Sequence, residues 1–184
     1  VVQDNPFGAL FGGTDQRSQN FQTEFLTQIS SLSATTIPGI AMTTPFKYDG
    51  PQSDEQVPTN NDYFPQSSKA FLATVTEQLV DAGSGLTAEN ILDRATTQSC
   101  AGCHELAVGR NLGPGNTNPW PRSNGFTQVN EDGGLSPALT GSFLPARAAV
   151  LTNFIDQFCG DAGGGGIPQN DNQTIGGGLV GSSN

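Results

Sequence analysis

Between Ile37 and Pro65 the chain carries Pro38, Pro45, Pro51, Pro58 and Pro65 together with Gly39 and Gly50. Each proline locks φ and removes a backbone donor, so this stretch excludes a long helix or a central strand and predicts an extended loop. The rest of the chain is punctuated in the same way, with 24 Gly and 12 Pro in 184 residues and only 34% hydrophobic residues. Loops are therefore expected to carry a large part of a fold with a modest core, either one domain with appendages or two small domains.

Helical periodicity survives in four places. From Asp15 to Ser33, residues Phe21, Phe25, Leu26, Ile29 and Leu32 recur on one face. From Ser67 to Ala82 the face is Phe71, Leu72, Val75, Leu79 and Val80, with Ser67 or Ser68 as cap and Gly83 as stop. Thr87 can cap a third helix whose buried stripe is Ile91, Leu92 and Ala95. Pro145 suits the opening of a last helix with Val150, Leu151, Phe154, Ile155 and Phe158 as its apolar face and Gly160 as its end. The expected class is mainly α, with an irregular arm before Gly13 and loops over Gly109 to Asn130 and Leu135 to Leu144. The expected division is an N-terminal arm and helical region over 1–86, a second domain over 87–160 and a Gly-rich tail over 161–184, this last lying against its own domain or a neighbouring subunit.

The third helix runs directly into Cys100-Ala101-Gly102-Cys103-His104. Cys-x-x-Cys-His is the form of covalent c-type haem attachment: two thiols reach the porphyrin vinyl groups as thioethers, and the imidazole sits under the iron. His104 is the one histidine of the chain, so a two-histidine metal site or a His-based triad elsewhere is excluded. A redox dithiol is the first alternative, although the βαβ pattern that accompanies it is missing. A Cys3His zinc site with Cys159 is the second, and it requires ligands from adjacent positions 103 and 104 to bend onto one ion.

The order of parts from about Thr87 to Cys159 resembles a class I c-type cytochrome domain. Its carriers are the helix before Cys100, Cys103 and His104, the Leu112-Gly113-Pro114 turn, and a later helix, about Pro145 to Phe158, that would cross the first. The stretches Arg94 to His104 and Leu135 to Leu139 also look like the C-terminal part of uncharacterised secreted bacterial proteins. The resemblance implies one covalent haem c on Cys100 and Cys103, with His104 as proximal ligand and the Pro114 carbonyl orienting its Nδ1–H. It also makes Trp120, Arg110 and Arg122 candidates for the haem propionates.

The family's distal methionine is missing from Leu135 to Leu144. Met42, the one methionine, is a candidate sixth ligand reaching from the Pro-rich loop, which would raise the potential. An open site beneath Leu139, Phe143 or Leu144 is the alternative, as is ligation by Lys47, Lys69, Tyr48, Tyr63, Cys159 or another chain. Cys159 is otherwise a buried apolar residue or pairs with a cysteine elsewhere.

The formal net charge of −10, with 7 Lys+Arg, repels phosphate backbones, so nucleic acid is not an expected partner, and no apolar run is long enough to span a bilayer. Acidity suits docking to a basic patch on a redox protein. Haem attachment outside the bacterial cytoplasm implies a periplasmic or extracellular location, and a start at Val1 implies processing from a longer precursor. The expectation is an exported monohaem c-type cytochrome carrying single electrons, more an electron carrier than a catalyst. The alternatives are a five-coordinate haem c enzyme subunit, peroxidase-like or gas-binding, and a structural subunit of a larger haem-containing complex or filament assembled through the arm and tail.

Overall fold

A computed structural model describes residues 5–50, 62–114, 119–125 and 127–159, the last residue by its backbone. The Gly-rich tail and Phe126 lie outside the described residues. The chain is mainly helical and, among the described residues, has no strand, only isolated bridges such as Pro6 to Asp49. It divides into two compact units, Val1–Ala146 and Arg147–Asn184.

The first unit begins with α1 (Ala9–Gly12), α2 (Gln16–Leu26) and α3 (Ile29–Leu32). The expected single helix from Asp15 is two, because the chain turns at Thr27 and Gln28. Asp15 caps α2 by accepting from the Arg17 and Ser18 amides at 2.9 and 3.1 Å. The Pro-rich loop contains only short turns, Ile37–Gly39 and Phe46–Tyr48, among its described residues. Then come α4 (Tyr63–Gln66) and α5 (Lys69–Asp81), with Ser68 as the α5 cap and Gly83 at φ +63 ending it. Phe71, Val75 and Leu79 face the core, whereas Val80 is exposed. Next is α6 (Ala88–Thr96), opened by a capping box between Thr87 and Asn90.

The core is an aromatic cluster centred on Phe11, which is fully buried. Its ring stacks on Tyr63 at 4.5 Å and meets Phe21 and Phe25 edge-on at 4.8 and 5.2 Å. The arm expected to be irregular thus supplies the centre of the core through a single turn of helix. Around this cluster α6, grouped on sequence grounds with the later segment, packs against α3, α4 and α5. Helix α6 also buries Arg94 completely. Its Nε donates to the Leu112 carbonyl at 2.7 Å and its Nη1 to those of Leu32 and Ala34 at 2.8 and 3.1 Å.

The loop expected from Leu135 to Leu144 instead contains a π-helical turn, Leu139–Phe143, which continues into α7 (Leu144–Cys159). The expected apolar face of α7 is exposed at Val150, Leu151, Phe154, Ile155 and Phe158. Helical periodicity shows that one face is apolar and does not say what covers it.

Replacing Arg94 by Met or by Lys should destabilise the protein by about 3–5 kcal/mol in urea unfolding. Methionine donates no hydrogen bond, and one ammonium cannot span carbonyls on two separate segments; a loss below about 1 kcal/mol would contradict the role assigned to this side chain.

Candidate cofactor-attachment site

The C-terminal end of α6 does not stop at Thr96. The backbone turns through Thr97, Gln98 and Ser99, all buried, and re-enters a helical turn at Cys100 that becomes a π-turn over Gly102–Leu106. Cys100, Cys103 and His104 therefore occupy positions i, i+3 and i+4 of one turn, the spacing that brings side chains to one side. All three are half-buried. Cys100 and Cys103 form no disulfide.

Gly102 is required by close approach. A Cβ at this position would collide with the Thr96 carbonyl oxygen and lie 2.7 Å from Ser99 Oγ. In its place Ser99 Oγ bridges the gap, donating to Thr96 O and accepting from the Gly102 amide, both at 2.9 Å.

Three groups from distant segments fix the backbone of the motif. Asn5, buried to 2% exposure, accepts the Cys100 amide on Oδ1 at 2.9 Å and approaches Cys100 Sγ with Nδ2 at 3.6 Å. Trp120 Nε1 donates to the Cys103 carbonyl at 2.9 Å. Ser123 Oγ donates to the His104 carbonyl. Sequence reasoning found the tryptophan but neither Asn5 nor Ser123, because a polar residue 95 positions away carries no local signal.

Burial, with Cys100 nearby, pushes the Cys103 thiol up to about 11. Among the described residues no three His, Cys, Asp or Glu side chains converge as a metal cluster.

The other sequence candidates are placed as follows. Arg110 is held by carboxylates, with two bonds to Asp62 at 2.9 and 2.6 Å and one to Asp93 at 2.6 Å, so its guanidinium is committed inside the protein. Trp120 is buried with its donor committed to Cys103. Arg122 is exposed, and its carbonyl accepts from the Ala138 amide at 2.9 Å. Pro114 is exposed and lies against Gly85, in the turn ahead of α6, whereas the motif follows the other end of that helix. The preceding Gly113 takes φ +86 with its Cα close to Asn90, which holds the Leu112-Gly113-Pro114 turn there.

Met42 is 2% exposed within the core cluster. The loop that carries it begins at Ile37–Gly39, which packs on Leu139–Phe143. Phe143 meets Trp120 edge-on at 5.8 Å, and Trp120 bonds Cys103. A contiguous path thus links the methionine's loop to the motif. Tyr48 donates to Glu24 at 3.0 Å and Lys47 pairs with the same carboxylate. The Cys159 side chain lies outside the described residues.

No family model matches the chain, and neither a curated protein nor a solved structure matches it.

Two outcomes follow from this geometry. Gly102→Ala should fold poorly or displace the motif, seen as a loss of at least about 3 kcal/mol in urea unfolding, because its Cβ meets backbone and not a flexible side chain. The second concerns Asp93, whose pKa burial raises above 3.8 against the opposing pull of Arg110. A raised folded value means that the stability Asp93 contributes is complete below about pH 4 and is lost as pH rises through that value. The stability difference between Asp93→Asn and the native chain should therefore shift in favour of the variant as pH rises above 4, then level off; a flat difference in urea unfolding across pH would contradict this.

Proposed function

We propose that this chain is a c-type haem protein that carries single electrons, with the porphyrin joined to Cys100 and Cys103 and His104 as the proximal ligand. The observation that carries the reading is the helical turn after α6, whose backbone is held by Asn5, Trp120 and Ser123 and in which two thiols and the adjacent imidazole stand at positions i, i+3 and i+4. Bound iron would supply reversible one-electron exchange.

The chain's own residues supply position and environment. Gly102 and Ser99 hold the backbone of the turn against the end of α6. Cys103 packs against the apolar core while staying half-exposed, so a group joined to it would have the core on one side. Met42 is the proposed sixth ligand, as the chain's one methionine in a molecule with no second histidine. Arg110 is not a propionate anchor in this reading, since Asp62 and Asp93 occupy it. The net charge of −10 favours a redox partner with a basic docking surface. Covalent haem attachment in bacteria places such a protein in the periplasm or outside the cell.

The test is a visible spectrum of the chain produced with a c-haem maturation system, followed by acid–acetone extraction and the pyridine adduct. Pigment that resists extraction in the native chain and is lost in Cys100→Ala/Cys103→Ala supports the reading. A colourless protein overturns it. Met42→Ala should convert a low-spin spectrum to a high-spin one; a native protein that is already high-spin would instead make the site five-coordinate and open to peroxide or a gas.

A further inference from the structure

From Arg147 to Cys159 the last helix is about 20 Å long and leaves its largest apolar side chains exposed. Val150 is 64% exposed, Leu151 58%, Phe154 55%, Ile155 46% and Phe158 60%. Together they present roughly 600 Å², the upper end of what a monomeric protein usually leaves bare.

The spacing of this face is that of a pairing seam. Arg147, Leu151, Phe154 and Phe158 follow one another at steps of four, three and four, and Ala148 and Ile155 flank the row. Asp156 lies on the opposite side of the helix, about 140° away from Leu151. Arg147 is thus the one charge in the seam, and it decides the orientation. A parallel pair would bury Arg147 against its own copy. An antiparallel pair sets Leu151 against Phe154 of the second copy and Arg147 over the ring of its Phe158, a cation–π contact made twice by symmetry.

Two faces of this size give a total near 1,200 Å², the low end for a specific interface. An anionic membrane fits less well, because the seam offers a single cation on a chain of net charge −10.

We infer that the last helix is a homodimerisation element that pairs antiparallel with a second copy of this chain through Leu151, Phe154 and Phe158, with Arg147 setting the register. The inference is independent of the haem reading.

Sedimentation velocity on the full chain tests it. The expected result is a reversible dimer with a dissociation constant on the order of 10–100 µM. Phe154→Asp should remove the dimer with the far-ultraviolet circular dichroism unchanged, since the ring is not part of the core. Phe158→Glu and Phe158→Lys then report the orientation. Antiparallel pairing sets the new charge against Arg147, so Phe158→Lys should weaken the dimer about tenfold more than Phe158→Glu. General repulsion between acidic chains would push the other way. A chain that stays monomeric to about 200 µM, with the face bare, covered by its own residues or taken up by lipid vesicles, overturns the inference. So does a dimer that survives Phe154→Asp, or one weakened equally by Phe158→Lys and Phe158→Glu.

Discussion

A buried guanidinium is expensive, and the first unit of this protein is arranged around one that has no carboxylate partner among the described residues. Desolvation lowers the pKa of Arg94, yet an arginine stays charged, so the cost must be met by hydrogen bonds. The carbonyls of Leu32 and Ala34, at and just beyond the C-terminus of α3, and of Leu112, in the segment after the motif, supply them. The end of α3 is also where the backbone dipole favours a cation. A single side chain on α6 therefore ties that helix to segments before and after it. Only the three-residue turn Thr97, Gln98 and Ser99 separates the Cys-x-x-Cys-His turn from α6, and so the motif takes its position from that helix.

At least three of the seven cations of the chain are engaged by its own groups. Arg94 is in the core, Arg110 is clamped between Asp62 and Asp93, and Lys47 pairs with Glu24. With 17 acidic residues against 7 basic ones, the outward-facing charge is dominated by carboxylates. The Asp62–Arg110–Asp93 group joins the start of α4, the middle of α6 and the segment beyond the motif, and so reinforces the arrangement that Arg94 sets. The two parallel bonds from Arg110 to Asp62 are the geometry in which an ion pair is strongest.

Local signals were legible where the physics is local. The cap at Thr87, a cap at Ser67 or Ser68, the stop at Gly83 and the core stripe of α6 were readable because each depends on residues within one or two turns. The Cys-x-x-Cys-His motif was readable for the same reason, being five consecutive residues. What failed to show was long-range or too short to carry a period. The four-residue α1 that centres the core on Phe11 has no periodicity to detect. Asn5 and Ser123 act on the motif from remote segments. Arg110 and Pro114 were assigned by resemblance to roles near the motif, and the structure commits one to two carboxylates and sets the other beside Gly85.

The sequence by itself determined a mainly helical chain broken by a Pro-rich loop and a thiol–thiol–imidazole motif at the end of a capped helix. Backbone stereochemistry and side-chain spacing are properties of the chain alone. Tertiary structure decided which apolar faces are covered, so that Phe71, Val75 and Leu79 are core while Phe154 and Phe158 are surface, although both rows read alike. It also decided which polar groups hold the motif, because a hydrogen-bond partner for a buried amide is chosen by the fold that brings the two together, not by distance along the chain.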